Sequence, residues 1–453
     1  MKKIMIIIFI YFLSTIIVGC NVSENNQYTI TFDSNGGTDV SAITHDYNTQ
    51  ITEPDAPTKT GYTFGGWYSD SNLTTAYEFM KMPSENITLY AKWLSTEGLN
   101  YTSLGYNTCS VSGYSGSYPY LLIPKYYNGC LITTIGDYVF TGATSLTSIT
   151  IPNSVTTIGA GAFSSATSLT AVIFEEGSQL TTIGNSAFSR TEITSITIPN
   201  SVTTIGDLAF SRSGITSITI PNSVTTIGRS VFFGATSLTS INVDVDNLQF
   251  CSKDGFLLNK NQTKIIAYPA GNNETTYTIP NSVTTIDYET FSGATSLTSI
   301  TIPKSVTTIG RNAFSGATSL TSINVDVDNP RYISKDGVLL NKNQTTIIAY
   351  PVGNNETTYT IPDSVTTIGD CAFFGATSLT SITIPNSVTT IGNDAFSTTS
   401  LTSIIITATT PPSIDDNLGV LNRNLKIYVP SDYVSIYKTW WSYYARIIFP
   451  IDN

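Results

Sequence analysis

The feature that most constrains this chain is a short motif that returns at a nearly constant interval. Thr-Thr-Ile-Gly, once replaced by Thr-Thr-Ile-Asp, is followed five residues after its isoleucine by a phenylalanine. Successive motifs lie 22, 23 or 25 residues apart where no insertion intervenes. The motif begins at positions 133, 156, 181, 203, 225, 284, 307, 366 and 389. A unit this short cannot enclose a core alone, so the repetition predicts a solenoid whose stacked units share one core.

A second pattern inside each unit predicts a strand. In Ser148-Ile-Thr-Ile-Pro152 the side chains alternate, which directs Ile149 and Ile151 inward and Ser148 and Thr150 outward. Pro152 has no N–H to donate to a ladder, so it ends the strand. Each strand is expected to pair with the equivalent strand of the next unit at about 4.8 Å.

These repeats resemble the BspA-type leucine-rich repeat over residues 101–425. The resemblance implies a mainly β, leucine-rich-repeat solenoid of a bacterial surface protein. Residues 426–453 resemble the terminus common in that family and are expected to form a C-terminal cap. Four aromatic residues there are expected to shield the last coil, and an exposed aromatic patch is the alternative. They are Trp440, Trp441, Tyr443 and Tyr444.

The repeat array contains a long internal duplication. The block 225–306 recurs at 307–388, and each copy carries an insertion, at 241–269 and 323–351. Each insertion brings the strand-like sequences Ile-Ile-Ala-Tyr-Pro and, shortly after it, Thr-Tyr-Thr-Ile-Pro. We therefore expect each insertion to add two short coils rather than a separate domain.

Residues 28–93 have a different pattern and predict a small β domain. Tyr28-Thr-Ile-Thr-Phe32 alternates with period two, and an Asn-Gly turn signal follows it. Together with Gly-Tyr-Thr-Phe-Gly-Gly-Trp-Tyr and Ile-Thr-Leu-Tyr-Ala-Lys-Trp, this segment resembles the internalin-type B-repeat, also called the Listeria–Bacteroides repeat. The resemblance implies a β-grasp-like fold. Trp67 and Trp93 are expected in its core rather than as exposed binding aromatics, and residues 94–100 as a linker.

The amino terminus predicts export. Two lysines precede an uncharged apolar run from Ile4 to Val18, which has the length of a signal-peptide apolar region rather than a membrane span. Ile-Val-Gly-Cys20 resembles a bacterial lipobox, which implies cleavage of residues 1–19 and acylation of Cys20. Residues 20–27 would then be a tether. An ordinary signal peptide that happens to contain a cysteine is the alternative.

Charge excludes two classes of partner. Charged residues make up 12% of the chain and the formal net charge is −11. Binding to nucleic acid or to an anionic membrane surface depends on clustered Lys and Arg, so neither partner is expected for this chain. The expected contact with a membrane is the acylated Cys20 alone.

Four cysteines remain beyond Cys20. Cys109 and Cys130 are 21 residues apart, close to one repeat, so they could lie on adjacent coils and form a disulfide in an oxidising compartment. Two unpaired thiols are the equal alternative. Cys251 and Cys371 occupy unrelated repeat positions and are expected to behave as small buried hydrophobic residues.

Signals of catalysis are weak. The single histidine, His45, has no nucleophile pattern beside it, so no catalytic residue is predicted and the chain is not expected to be an enzyme. The pairs Asp244/Asp246 and Asp326/Asp328 invite a calcium site. However, their alternation places them on an exposed strand face without EF-hand spacing, so no metal site and no cofactor are predicted.

The remaining candidate site is the outward strand face, a regular polar surface suited to repeated weak contacts. The resemblance implies a surface adhesin that binds host matrix proteins, other cells or glycans. The chain is thus expected to be exported, lipid-anchored and bound to a protein or glycan ligand. A structural spacer without a specific ligand and a dedicated glycan-binding protein are the alternatives. The candidate ligand-binding residues are Ser148, Thr150, Thr197, Thr219, Asn242, Thr301, Asn324 and Thr383.

Overall fold

The computed structural model describes residues 26–419 and 422–451. The chain divides into two compact units, with the boundary between Leu94 and Ser95. Residues 1–19, Cys20 and most of the predicted tether lie outside the described residues. The predictions of a signal peptide and of acylation at Cys20 therefore stay predictions.

The first unit is a four-stranded mixed sheet with the order β3–β4–β1–β2. β1 pairs antiparallel with β2 and parallel with β4. Its strands are β1 (Gln27–Asp33), β2 (Ile43–Asp46), β3 (Tyr62–Tyr68) and β4 (Ile87–Ser95). The prediction of a small β domain in this segment is confirmed.

Two tryptophans form the centre of the first unit, as predicted. Trp67 and Trp93 are both buried, and the indole N–H of Trp93 donates a hydrogen bond of 2.8 Å to the carbonyl of Ser34. Gly37 lies so close to Trp93 that a Cβ there would run into the indole ring. The turn after β1 and the core are thus fitted to each other.

The second unit begins with thirteen strands, the last of which runs into the first insertion. Leu99 already belongs to β5, so only residues 96–98 separate it from β4. The strands are β5 (Leu99–Gly105), β6 (Thr108–Tyr114), β7 (Tyr120–Leu122), β8 (Tyr126–Tyr127), β9 (Cys130–Ile135), β10 (Ser148–Ile151), β11 (Thr157–Ile158), β12 (Ala171–Phe174), β13 (Thr182–Ile183), β14 (Thr204–Ile205), β15 (Ser217–Ile220), β16 (Thr226–Ile227) and β17 (Ser240–Val243).

Two sets of parallel strands run along these coils, one from each sequence pattern. The Thr-Thr-Ile strands β9, β11, β13, β14 and β16 pair in register, so that Ile158 lies opposite Ile183. The Ser-Ile-Thr-Ile strands form the other set, in which β10 pairs with β7 and β12. Ile149 and Ile151 are buried, which confirms the predicted inward face.

The repeated phenylalanines stack along the core. Ring centroids of consecutive residues from Phe140 to Phe232 are 5.0, 5.2, 5.5 and 5.9 Å apart, with interplanar angles of 4° to 20°. The stack consists of Phe140, Phe163, Phe188, Phe210 and Phe232, all buried. Each coil thus contributes one ring to a continuous aromatic column.

The duplicated blocks contain the next group of strands. They are β18 (Phe250–Lys253), β19 (Phe256–Asn259), β20 (Lys264–Ala267), β21 (Thr276–Thr278), β22 (Thr285–Ile286), β23 (Ser299–Ile302), β24 (Thr308–Ile309), β25 (Ser322–Val325), β26 (Tyr332–Lys335), β27 (Val338–Asn341), β28 (Thr346–Ala349), β29 (Thr358–Thr360), β30 (Thr367–Ile368), β31 (Ser381–Ile384) and β32 (Thr390–Ile391).

The insertions differ from the two coils that we expected. Each begins with an antiparallel hairpin, β18–β19 or β26–β27, and only the following segment makes a coil. In that coil β20 joins β22 in the Thr-Thr-Ile sheet and β21 joins β23 in the other. The hairpin forms because Asp254 and Gly255 both adopt positive φ, as a two-residue turn of this kind requires.

The chain ends in four more strands, one helix and two short 3-10 turns. These are β33 (Ser403–Ile406), β34 (Ser413–Ile414), β35 (Lys426–Val429), the turns Ser431–Tyr433 and Ser442–Ile447, α1 (Val434–Trp440) and β36 (Ile448–Pro450). β36 pairs in parallel with β35 and so extends the sheet beyond the last repeat.

The prediction that four aromatic residues of the C-terminal cap shield the last coil is confirmed for two of them. The indole N–H of Trp441 donates to Pro412 O at 3.0 Å, and the hydroxyl of Tyr444 accepts from Leu418 N at 2.9 Å. Both side chains are buried, together with Tyr437 of α1. Trp440 and Tyr443 are instead 62% and 89% exposed, so they do not shield the last coil as predicted.

Candidate functional site

The predicted outer face exists, but its residues differ in exposure. Thr197, Thr219, Asn242 and Asn324 are exposed, whereas Thr150, Thr301 and Thr383 are half-buried. Ser148 is only 4% exposed, so the expectation that it faces solvent is wrong. It lies inside a sheet between Tyr120 of β7 and Ala171 of β12, where neighbouring strands cover it.

The face is also not one continuous ladder. β15 pairs with β17, which places Thr219 beside Asn242, and β23 pairs with β25, which places Thr301 beside Asn324. β29, β31, β33, β35 and β36 form a further sheet that contains Thr383. The structure thus divides the predicted hydroxyl ladder into separate sheets.

The sharpest break falls at residues 195–198. Their sequence, Ser-Ile-Thr-Ile, is that of β10, yet they form no strand among the described residues. β12 pairs only with β10, and β15 pairs only with β17, within the part of the chain that the structure describes. Two facing strand edges therefore border a segment that pairs with neither of them.

The lengths of two turns accompany this break. Between β12 and Leu180 the chain has Glu-Glu-Gly-Ser-Gln, two residues more than the Pro-Asn-Ser of the preceding coil, which gives the 25-residue spacing. In the next coil only four residues separate Phe188 from Ile193, one fewer than between Phe163 and Leu169. A longer coil thus precedes the unpaired segment, and a shorter coil contains it.

A cleft lies on each side of the unpaired segment. The one next to β12 has a volume of about 640 Å³, and the one next to β15 about 290 Å³. Ile196 and Ile198 are buried and form an apolar floor, while Thr197 and Thr219 supply exposed hydroxyls. Acidic side chains stand at the rims: Glu175 in the first cleft and Asp244 in the second.

The aspartate pairs are not on a strand face, which corrects that expectation. β17 ends at Val243, so Asp244 and Asp246 lie in the turn that follows, and Asp244 Oδ1 accepts the N–H of Asp246 at 2.9 Å. Asp326 and Asp328 repeat this arrangement at the same distance. The aspartates thus serve a turn, and groups of three or more potential metal ligands are absent from the described residues.

Sequence reasoning missed the asparagine that closes this turn. Asn247 is fully buried and donates to Pro221 O at 2.8 Å and to Val224 O at 3.0 Å, both in the preceding coil. Its side-chain oxygen accepts from the N–H groups of Gln249 and Phe250, each at 2.8 Å. Asn329 repeats all four bonds in the second block. Recurrence of the asparagine in both copies was the available signal.

Cys109 and Cys130 lie next to each other, as the predicted disulfide between them would require. Cys109 is buried on β6 and Cys130 is half-buried on the adjacent β9. A hydrogen bond with Cys130, together with burial, raises the pKa of the Cys109 thiol. Both are free thiols in the structure, so the disulfide stays a prediction. Cys251 and Cys371 are half-buried rather than fully buried.

The pKa shifts of other described groups arise mainly from burial. His45 lies exposed on β2, opposite Tyr28. Burial alone lowers the pKa of Lys92, and burial is the main cause that raises the pKa of Tyr268, Tyr350 and Tyr359 to about 12. Shifts that follow from burial are typical of core residues rather than of an acid and base tuned to each other.

Comparison with known families decides what kind of protein this is. The family described as "BspA type Leucine rich repeat region" matches in six copies over residues 133–261, 267–355 and 352–438, well over half of the chain. The chain belongs to the BspA-type leucine-rich repeat family. A second family, the Listeria-Bacteroides repeat domain, matches residues 28–92. Both resemblances noted in the sequence are confirmed.

Relatives of this BspA-type chain share only part of it. A "Putative Gly-rich membrane protein" of Evansella cellulosilytica is 49% identical over 71 residues, which are 16% of this chain and 8% of that protein. Internalin H of Listeria monocytogenes is 41% identical over 90 residues, 19% of this chain and 16% of its own length. The chain thus spans a small fraction of these relatives.

Solved structures match more of the chain than these relatives do. A leucine rich cell surface protein from Faecalibacterium prausnitzii is 27% identical, with a TM-score of 0.42, and the match covers 69% of this chain and 94% of that one. The pneumococcal vaccine antigen PcpA is 22% identical, with a TM-score of 0.49, over 79% and 98%. The matched families are typical of cell-surface or exported proteins. Within the described residues, no helix has the length and apolarity to cross a bilayer.

Proposed function

We propose that this chain is an exported, lipid-anchored adhesin that binds an extended segment of a partner protein at residues 195–198. The observation that carries the proposal is the pair of clefts beside this unpaired segment. The Ser-Ile-Thr-Ile strands of the other coils each pair with at least one neighbouring strand, whereas residues 195–198 pair with none in the described part of the chain. Extended peptides bind free strand edges through main-chain hydrogen bonds.

The walls of the clefts favour a peptide over other ligands. β12 and β15 present rows of N–H and C=O groups, and an added strand supplies the complementary row. The apolar floor at Ile196 and Ile198 offers contact to alternate side chains of that strand. Glu175 and Asp244 at the rims favour partner segments with Lys or Arg.

A library of linear peptides displayed on phage, selected on the full-length chain, tests this function. Peptides that bind saturably should lose binding to a Thr197→Trp variant, because the indole would fill the clefts. The matched control is Thr301→Trp on β23, which is paired on both sides. N-methylation of alternate peptide amides should also abolish binding. If no peptide is enriched, or if both variants bind equally well, the proposed site is wrong.

The anchor is tested separately in the cells that express the chain. Replacing Cys20 with Ala should release the protein from the membrane fraction into the medium, since acyl chains provide the expected attachment. Mass spectrometry of the mature amino terminus checks the same point directly. Retention of the Cys20→Ala protein in the membrane would contradict the lipid anchor and leave the peptide site untouched.

A further inference from the structure

The larger cleft, between β12 and residues 195–198, is a slot that is closed at both ends. At one end Ser165 N donates to Ser189 O at 2.8 Å, and at the other end Thr203 N donates to Thr181 O at 2.9 Å. Between these bonds, the described residues form no backbone hydrogen bond from one coil to the other. The preceding pair of coils is bonded along the same stretch through β10 and β12. The slot is therefore an opening of one strand's length in the wall of the solenoid.

The unpaired segment 195–198 stays attached to the following coil at its start. Thr216 N donates to Thr194 O at 2.9 Å. The preceding coils have the equivalent bond, from Thr170 N to Thr147 O at 2.9 Å, but the described residues have none from Thr194 N to Thr170 O. The cleft next to β12 is accordingly the larger of the two, at about 640 Å³ against about 290 Å³. The space for a ligand strand therefore lies against β12.

The backbone of β12 offers hydrogen-bonding groups to this space. The N–H groups of Ala171 and Glu175 donate to the preceding coil, at 3.3 and 3.0 Å. Alternate residues of a paired strand direct their backbone groups to opposite sides, so those of Val172 and Phe174 face the slot. Two N–H donors and two C=O acceptors are thus available to a strand that lies beside β12.

The side chains of β12 are more apolar and more exposed than those of the neighbouring strands. Ile173 is 45% exposed and stands where β10 has Thr150 and β15 has Thr219. On the inner face Val172 and Phe174 are half-buried, whereas the equivalent isoleucines of β10 are buried. A polar ligand strand would leave this apolar surface in contact with water, and an aliphatic strand would bury it.

A carboxylate continues the outer row of β12. Glu175 replaces the proline that ends the strand in the neighbouring coils, Pro152 and Pro199. Its side chain lines the cleft on the same face as Ile173, two residues earlier. One carboxylate oxygen accepts from Asn153 N at 3.1 Å, and Glu175 forms no ion pair within the described part of the chain. A Lys or Arg of the ligand is the complement of this charge.

We propose that the slot selects an extended segment of a partner protein that carries aliphatic residues and one Lys or Arg. This inference rests on the peptide-binding function proposed above and specifies its ligand. The segment bonds to the backbone of Val172 and Phe174, packs an aliphatic side chain on Ile173 and places its cation beside Glu175. These two ligand residues are two positions apart, because side chains on one face of a strand alternate. About five residues, about 17 Å in length, span β12 and Glu175.

Selections from the library of linear peptides, run in parallel on several variants, test this specificity. Peptides selected on the parent chain should carry Lys or Arg two positions from an aliphatic residue. Glu175→Lys should reverse the preference, so that Asp or Glu is enriched at that position. Glu176→Lys makes the same charge change at the neighbouring exposed residue, which does not line the slot, and should keep the parent's preference. Asp244→Lys, in the smaller cleft, should keep it too.

The affinity of one selected peptide, measured by fluorescence anisotropy with the full-length chain, separates the two contacts. Ile173→Thr installs the residue of the neighbouring strands and leaves the backbone edge intact, so it should weaken binding about tenfold through lost apolar contact alone. Ile405→Thr makes the same change on β33, which is paired on both sides, and should have no effect. Exchanging the peptide's cation for Glu should weaken binding to the parent about tenfold and strengthen binding to Glu175→Lys. Circular dichroism verifies the fold of each variant.

The outcomes separate this inference from the function on which it rests. Peptides that lose binding to Thr197→Trp, yet have the same composition on the parent and on Glu175→Lys, would overturn the specificity and leave the peptide site standing. Equal effects of Ile173→Thr and Ile405→Thr would do the same. If no peptide is enriched, the proposed function and this inference both fail. Dimers of the parent that are absent from Thr197→Trp, detected by analytical ultracentrifugation, would identify a second copy as the occupant and contradict a separate partner.

Discussion

Replacing Asn247 tests quantitatively how much its hydrogen bonds contribute to holding neighbouring coils together. Its fully buried side chain forms four hydrogen bonds, two to carbonyls of the preceding coil and two from the backbone that follows. Asn247→Ala removes all four bonds and leaves buried carbonyl and N–H groups without partners. Asn242, five residues earlier on the exposed face, provides a matched control of the same residue type.

The expected magnitude follows from the number of bonds. A hydrogen bond contributes about 1 kcal/mol net, so the loss of four bonds should lower the free energy of unfolding by about 4 kcal/mol. Asn242→Ala should change it by less than about 0.5 kcal/mol, as exposed substitutions usually do. Because solenoids need not unfold in a single step, the loss should be greatest in the coils around the insertion.

Hydrogen exchange followed by mass spectrometry, combined with urea unfolding, measures both the size and the location of the effect. We expect the amides of Gln249 and Phe250 and those of β16 and β17 to lose protection in Asn247→Ala only. Equal destabilisation by the two variants, or a cost below about 1 kcal/mol for Asn247→Ala, would show that the asparagine is not what joins these coils.

Three further predictions concern pH, redox state and packing. Burial raises the pKa of Tyr268, Tyr350 and Tyr359 from 10.0 to about 12, so the folded chain keeps protons that the unfolded chain releases. The contribution of these three tyrosines to the free energy of unfolding is therefore complete below pH 10 and should be lost as the pH rises towards 12. Tyrosinate absorbance and circular dichroism, followed together against pH, measure this loss. A folded chain whose tyrosinate absorbance at about pH 11 already corresponds to all 26 tyrosines would contradict this. Mild oxidation should join Cys109 to Cys130 and stabilise the first coils by about 3 kcal/mol, and mass spectrometry without reduction should find the bond in the parent but not in Cys109→Ser. Gly37→Ala should destabilise the first unit by about 1–3 kcal/mol, because its Cβ would run into the ring of Trp93, and the change should appear in tryptophan fluorescence during thermal unfolding.

The repeating part of the fold could be predicted because each rule there is local. Alternation placed Ile149 and Ile151 in the core, and the constant spacing of the phenylalanines placed Phe140 to Phe232 in one stack. Both depend only on the period of the sequence and on the stacking of coils. The hairpin in each insertion could also have been predicted, since Asp254-Gly255 is a strong two-residue turn signal.

The candidate sites could not be predicted in this way, because they depend on relations between coils. Ser-Ile-Thr-Ile at 148–151 and at 195–198 is the same sequence, yet only the first copy pairs on both sides. Ser148 is buried because its strand has a neighbour on each side, whereas Thr197 is exposed because its segment pairs with neither neighbour. The strand with which a given strand pairs depends on the lengths of the turns before and after it. Because the lengths of several successive turns add up, this pairing cannot be read from one coil alone.

The same argument explains why the slot and a further cavity both occur at irregular positions. A perfect repeat pairs every strand edge and stacks every ring on the next, so it leaves neither a free edge nor a cavity in its interior. A coil of 25 residues directly precedes the unpaired segment at 195–198, and the ring stack ends at Phe314, beside a cavity of about 250 Å³. The corresponding space in the first block, which Tyr288 and Glu289 help to line, has a volume of only about 10 Å³. An irregularity in the repeat therefore creates the opening, and a few side chains decide whether it stays open.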